Sequence, residues 1–296
     1  MKPATAGATI LVGVFGDPVA HSVSPAMHNR AFEALGLDWC YLPFHVSPAD
    51  LGVALRALPV LGLRGVNLTI PHKEAALAHL DSVEETARLI GAVNTVVQEK
   101  GRLAGYNTDA AGFLDTLDEA GFDPGGARAV LLGAGGAARA VAVALAGRDV
   151  AALTIIGRTP ARGEAIAELV RRRCRGPVTA VAWTPAAVRQ ELAGADLVVN
   201  ATPVGMYPRG AEPPPVPARW LPERVFVYDL VFNPPATRLV RAARRRGLRA
   251  MGGLRMLVCQ GARAFRLWTG REPPRDLMEA AGRRALRARK PPADTV

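Results

Sequence analysis

Cysteine is scarce in this chain, aromatic residues are few, and acidic residues fall well short of basic ones. The three cysteines, Cys40, Cys174 and Cys259, are scattered, with no Cys-x-x-Cys pair and no Cys/His cluster. That spacing excludes a disulfide framework and a zinc site. No apolar run approaches the roughly 18 residues that a membrane helix needs. The opening stretch through Pro18 has a short apolar segment and no small-residue cleavage pattern, so it does not read as a signal peptide. No internal repeat of solenoid period is present. A soluble, cytoplasmic protein is expected, with neither a metal nor a membrane partner.

Aromatic residues make up 5% of the chain, and none interleaves the arginine runs at 171–175, 241–246 and 283–290. A single-strand nucleic-acid binder needs such rings for base stacking. The formal charge of +11 therefore reads first as solvated helix faces, since each run sits in or beside a helical pattern. A second reading is a positive field that draws in an anionic substrate or cofactor.

What is present is a large apolar complement. Hydrophobic residues make up 49% and charged residues 21% of 296 residues, which excludes a disordered chain and allows a core that needs no staples. The length suggests two domains. Strand-like runs at 9–15, 39–46, 65–70 and 92–97 alternate with helical patterns at 25–35, 48–58 and 71–80. Each of those helical patterns has proline near its first turn, where it is tolerated. A second series of strands follows at 129–132, 152–156, 178–182, 197–200 and 225–230, joined to the first by a helix over 108–120 with Thr108 as its N-cap. The alternation predicts α/β architecture with mostly parallel sheets. Two further helices are expected near 254–268, stopped by Gly270, and over 274–288.

The second series opens on Val130-Leu131-Leu132-Gly133-Ala134-Gly135-Gly136-Ala137-Ala138. Gly133, Gly135 and Ala138 fit G-x-G-x-x-G/A between a strand and a helix. The first glycine allows a tight turn, the second lets backbone approach a pyrophosphate, and Ala138 keeps helix against strand. The helix N-terminus then offers N–H groups to phosphate. An NAD site would place a carboxylate at the end of the next strand. Here that segment reads Ile155-Ile156-Gly157-Arg158-Thr159-Pro160-Ala161-Arg162, with no carboxylate and two arginines suited to a 2′-phosphate. NADP is favoured over NAD, although Arg158 facing solvent is the plain alternative.

The first half carries Gly16-Asp17-Pro18-Val19-Ala20-His21-Ser22-Val23-Ser24-Pro25-Ala26-Met27-His28-Asn29, then Asn67-Leu68-Thr69-Ile70-Pro71-His72-Lys73, Gly91-Ala92-Val93-Asn94-Thr95 and Asn107-Thr108-Asp109. With Asn200-Ala201-Thr202-Pro203-Val204-Gly205-Met206, Gly253 and the segment 256–260, these motifs resemble the shikimate dehydrogenase family, together and in order, from about residue 9 to 270. The resemblance implies an N-terminal α/β substrate domain over 1–108 plus 251–296, with the C-terminal helices returning to it. It also implies a Rossmann-type, doubly wound NADP-binding domain over 109–250. The implied activity is NADPH-dependent reduction of 3-dehydroshikimate to shikimate. Alternatives are a paralogue acting on quinate or aminoshikimate and, outside enzymes, a dinucleotide-sensing regulator that binds nucleic acid. A monomer or a homodimer is expected.

The resemblance further implies residue roles. Lys73 and Asp109 would form the acid–base pair. Ser22 and Ser24 would hold the substrate carboxylate, with Asn67, Thr69, Asn94 and Gln260 around the ring hydroxyls. Gly133, Ala134, Gly135, Gly136, Ala137, Arg158, Thr159, Arg162, Thr202, Leu230 and Gly253 would serve the cofactor. Phe232 stands where the family commonly has a tyrosine that reaches the substrate, and Gly157 where it often has asparagine. Taken singly, several of these have plain structural readings: Ser22 and Ser24 as caps, Lys73 as an exposed helix residue, 107–109 as a helix start. His21 and His28 lack carboxylates arranged for a metal and read as structural hydrogen-bonding residues.

Overall fold

Parallel strands buried on both faces read as continuous apolar runs, and those runs become the centres of two six-stranded sheets. The computed structural model describes residues 6–288; Lys290 at the end of the last arginine run and the first five residues lie outside that range. The chain divides into one unit of Met1–Thr108 with Val258–Val296 and a second of Asp109–Leu257.

The first unit contains β1 (Ile10–Gly16), α1 (Ser24–Ala34), β2 (Trp39–His45), α2 (Leu51–Val60), β3 (Leu63–Leu68), α3 (His72–Ala75), β4 (Ser82–Val83), α4 (Glu85–Ile90), β5 (Thr95–Glu99) and β6 (Arg102–Tyr106). Its sheet runs β2-β1-β3-β5-β6-β4. The first three strands are parallel, while β5 is antiparallel to both β3 and β6. On one face α2 lays down Leu51, Leu55 and Leu58 at helical spacing, joining Val66, Leu68 and Val96 in a core cluster.

The second unit contains α5 (Asp109–Glu119), β7 (Arg128–Leu132), α6 (Gly136–Ala146), β8 (Ala152–Gly157), α7 (Pro160–Arg171), β9 (Val178–Ala182), α8 (Pro185–Leu192), β10 (Leu197–Asn200), β11 (Phe226–Asp229), α9 (Arg238–Arg245) and β12 (Ala250–Gly252). Its strands are all parallel, in the order β12-β11-β10-β7-β8-β9. That is the doubly wound dinucleotide-binding order, with its switch point between β7 and β10. α10 (Leu254–Thr269) begins in this unit, and α11 (Arg275–Ala288) belongs to the first.

Two expectations change. The helix expected over 71–80 is a single α-turn at α3 followed by a 3-10 turn over Ala76–His79, which presents Lys73 on a short, sharply bent segment. The division expected at residue 250 falls inside β12, which pairs with β11, so the second unit runs on to Leu257. The short β4, α4, β6 and β12 carry too few periodic residues to stand out in the sequence.

In the first unit, α10 is anchored by Trp268, whose indole N–H donates to Val96 O at 3.0 Å. The close approach needs Gly65, where a Cβ would lie 2.4 Å from that indole nitrogen. His28, 1% exposed, lies flat on the Tyr41 ring at 4.3 Å between centroids and also faces Phe265 and Trp268. Contrary to the hydrogen-bonding expectation, its Nδ1 has no hydrogen-bond partner. Aromatic packing holds it instead. A Cβ at Gly261 would sit 3.3 Å from its Nε2, so glycine lets α10 ride over the imidazole.

Burial lowers the His28 pKa from 6.5 to about 3, because a charged imidazolium in this apolar cluster would lose its hydration. A folded pKa below the unfolded one gives stability that is present above pH 6.5 and is lost as pH falls toward 3. Between neutrality and about two pH units below the unfolded pKa, His28 accounts for a loss of roughly 2–3 kcal/mol. His28→Phe is therefore expected to flatten that part of the stability–pH curve, as measured by urea unfolding of wild type and variant across the range. An unchanged slope would contradict the burial argument.

Candidate active site

Four loops meet at the C-terminal edge of the second unit's sheet, where open α/β sheets bind ligands. After β7, Gly133 adopts φ +114, a conformation that disfavours side chains. A Cβ there would also press within 3.0 Å of the Ala201 backbone, so the turn packs directly on the loop after β10. Gly135 and Gly136 differ: a Cβ at either would meet no protein atom within 4 Å. Their bareness serves approach from outside rather than internal packing. The 11-residue α6 begins at Gly136 with no side-chain cap on its first N–H groups, and Ala138 is fully buried beneath it. Strand, turn and helix thus fit a pyrophosphate.

At the end of β8, Gly157 is buried, while Arg158, Thr159 and Arg162 are exposed. A Cβ at Gly157 would touch Ala134 at 3.3 Å, so glycine at this position leaves a narrow edge. Thr202 and Leu230 are half-buried in the loops after β10 and β11. Gly253 is packed so tightly that a Cβ would fall 2.0 Å from Leu230 O. Ala134 and Ala137 complete the turn and are half-buried.

Beneath these loops lies a buried acid that motif reading used only as a landmark. Asp229, 0% exposed, accepts at Oδ1 from Asn200 Nδ2 (2.9 Å) and Val231 N (3.1 Å), and at Oδ2 from Thr237 Oγ1 (2.6 Å). Asn200 Oδ1 in turn accepts from Thr202 N and Oγ1 at 3.1 and 2.6 Å. Thr237 also caps α9 by accepting from Val240 N. Burial raises the Asp229 pKa to about 6, against the pull of these donors. The network ties the loops after β10 and β11 together. Its signal in the sequence is a polar residue closing each of two apolar parallel strands.

In the first unit the expected substrate residues gather around a second buried network. Asn94, 2% exposed, accepts at Oδ1 from Thr108 N (2.8 Å) and Thr95 Oγ1 (3.0 Å). Its Nδ2 donates to Thr108 Oγ1 (2.9 Å) and Gln260 Oε1 (3.3 Å). Asn67 Nδ2 donates to Asn94 O (3.1 Å) and Thr95 Oγ1 (3.0 Å). Thr69 and Ser22 are half-buried, and Ser24 is buried. The capping reading holds in part: Ser22 Oγ accepts from Ser24 N at 3.2 Å, while the α1 N-cap itself is Val23. Thr108, expected as a cap, spends its hydroxyl on Asn94.

Lys73 is half-buried in α3, its carbonyl accepting from Val93 N at 2.7 Å. Asp109 is buried as the first residue of α5, and Asn107 Nδ2 beside it donates to Ala92 O at 2.9 Å. Phe232 is half-buried just after β11. Among the described residues no group of three or more His, Cys, Asp or Glu could hold a metal ion, and no helix is long and apolar enough to cross a membrane.

Several arginines of the runs are engaged within the chain. Arg171 pairs with Glu164 and Glu168, Arg175 with Asp149 and Arg283 with Glu279. Arg241, Arg244 and Arg246 donate to backbone carbonyls of Ala236, Ala250 and Leu221.

Comparison with known proteins covers both units. Residues 14–96 match the family model described as shikimate dehydrogenase substrate binding domain. Residues 118–205 match the shikimate / quinate 5-dehydrogenase model, and 253–281 the shikimate 5′-dehydrogenase C-terminal domain. A curated relative from Moorella thermoacetica, shikimate dehydrogenase (NADP(+)), is 50% identical over 280 residues, 95% of each chain. The crystal structure of shikimate 5-dehydrogenase from Thermus thermophilus, in complex with NADP(H) and shikimate, is 46% identical. It superposes with a TM-score of 0.83 over 93% of this chain and 99% of that one. Another shikimate dehydrogenase structure, in complex with NADP+, is 38% identical with a TM-score of 0.87 over 94% and 96% of the two chains. Sequence and fold thus recur together along almost the whole length: the chain belongs to the shikimate dehydrogenase family.

Proposed function

We propose that this protein is an NADP-dependent shikimate dehydrogenase, interconverting 3-dehydroshikimate and shikimate within the route to chorismate and the aromatic amino acids. The observation that carries the reading is identity of 50% over 95% of both chains to a relative of that name, which leaves neither unit free to be a borrowed part. The assay that tests it follows reduced nicotinamide absorbance with shikimate and quinate, each with NADP+ and NAD+. Turnover of shikimate with NADP+ above the other three pairs is expected. A preference for quinate would point to a paralogue, and no turnover with any pair would refute the reading.

NADPH when bound supplies the hydride that turns a ring ketone into a secondary alcohol. The chain's residues do the rest. Ser22 and Ser24 offer hydroxyls to the substrate carboxylate, and Asn67, Thr69, Asn94 and Gln260 meet its ring hydroxyls. Lys73 and Asp109 act as the acid–base pair, because the carbonyl oxygen must gain a proton as the carbon gains hydride. Gly133, Gly135, Gly136 and the start of α6 seat the pyrophosphate. Arg158, Thr159 and Arg162 receive the 2′-phosphate, while Thr202, Leu230 and Gly253 border the nicotinamide end. The first unit and the helices that return to it serve as the substrate domain, and the second as the cofactor domain. The protein acts as a cytoplasmic monomer or homodimer without nucleic acid, its arginines serving as intrachain contacts and solvated faces.

Three variants test these assignments. Arg158→Ala is expected to raise KM for NADP roughly 10- to 100-fold and to leave KM for NAD almost unmoved, since only NADP carries the phosphate; equal losses with both cofactors would remove Arg158 from phosphate recognition. Lys73→Ala should cut kcat at least about 10²-fold while NADP binding, read by fluorescence titration, stays near wild type. A folded Lys73→Ala protein turning over normally would overturn the acid–base role. Phe232→Tyr restores the hydroxyl that the family commonly carries at this position and is expected to lower KM for shikimate about tenfold, worth about 1.4 kcal/mol. Unchanged or weaker shikimate binding would mean the carboxylate is already satisfied by other donors.

A further inference from the structure

The phenol of Tyr41 takes part in no step above, yet it heads the hydrogen-bond chain that ends on Asn94. Tyr41 is fully buried and held at three points. Asn29 in α1 clamps its backbone, accepting from its N–H at 2.7 Å and donating to its carbonyl at 3.0 Å. His28 stacks on its ring with the planes 4° apart. Its hydroxyl donates to Asn67 Oδ1 at 2.8 Å. So fixed a ring leaves its hydroxyl one orientation.

From there two backbone groups set the direction, Asn94 O as acceptor for Asn67 and Thr108 N as donor to Asn94. Asn67 meets the phenol with Oδ1 and turns Nδ2 onward to Asn94 O at 3.1 Å and Thr95 Oγ1 at 3.0 Å. The Thr95 hydroxyl, accepting from Asn67, donates to Asn94 Oδ1 at 3.0 Å. Asn94 Oδ1 takes a second donor, Thr108 N, at 2.8 Å. A flipped Asn94 would set its own NH2 against the Thr108 N–H, a loss comparable to leaving a buried group unsatisfied. Its Nδ2 is therefore held on the side of Gln260 Oε1.

We propose that Tyr41 is a positioning residue that braces Asn94 through Asn67 and Thr95, so that the Asn94 side chain keeps one setting in the site. The proposal rests on the reading of Asn94 as a substrate contact. It makes shikimate recognition depend on a residue that does not touch substrate.

Two near-isosteric variants cut the chain at different links: Tyr41→Phe removes the first donor, and Thr95→Val removes the relay hydroxyl. Each is expected to raise KM for shikimate about five- to tenfold, with kcat and KM for NADP changed less than about twofold. Tyr228→Phe is the control for mere loss of stability. It deletes a fully buried hydroxyl 2.7 Å from Thr116 in the second unit and should lower Tm without moving KM for shikimate. Combined with Asn94→Ala, Tyr41→Phe should add no further loss, since its effect passes through Asn94. Fully additive losses would overturn the proposal, as would an unchanged KM in both single variants while Asn94→Ala raises it. A wild-type KM in Asn94→Ala would instead overturn Asn94 as a substrate contact. Should Tyr41→Phe not fold, Thr95→Val and its pairing with Asn94→Ala carry the same outcomes.

Discussion

A polar group taken out of water must find its hydrogen bonds inside the protein, at a cost of roughly 1–3 kcal/mol if it does not. Both units are organised around that requirement. In the first, Asn67, Asn94, Thr95, Thr108 and Gln260 are all buried and hydrogen-bond to one another. In the second, Asn200, Asp229 and Thr237 do the same. Such networks are restrictive because satisfying every member allows few arrangements. The restriction is useful where loops must be held still without being packed in a core.

The parallel sheet explains why the second network sits where it does. Parallel strands covered on both faces end together, and their C-terminal edge is where chain direction turns and loops collect. Apolar packing, strong along β7 to β11, runs out at that edge. Asn200 and Asp229 terminate their strands there, so their side chains hold the loops that the core cannot reach. Asp229 pays for its position with a pKa raised to about 6. Close backbone approaches at Gly133 and Gly253 draw the same loops into contact, leaving Gly135 and Gly136 bare toward solvent.

The excess of arginine has a less specialised explanation than its size suggests. Guanidinium forks reach carboxylates on the same helix or carbonyls left over at turns and helix ends. Arg244 closes on Ala250 O with two nitrogens, and Arg255 reaches Glu119 at 2.6 Å. Most such pairs are exposed and individually worth little.

Local chemistry was written plainly in the sequence. Apolar periodicity located the main strands and the long C-terminal helices, because burial on a strand or helix face repeats at a fixed spacing. The turn at Gly133–Ala138 was equally readable, since positive φ and close backbone approach admit few residue types. Arg158 and the lack of a carboxylate after β8 were visible for the same reason. Shorter elements escaped: β4, β6 and β12 are too brief for a period, and the antiparallel insertion of β5 leaves no mark on β5 itself. Partnership was decided only by the tertiary structure. Asn94 meets Gln260 across 166 residues, Tyr41 finds Asn67, and His28 lies against a ring rather than a hydrogen-bond acceptor. A motif states which donors and acceptors a segment owns; which of them face each other, and in which polarity, depends on folded geometry that no single segment contains.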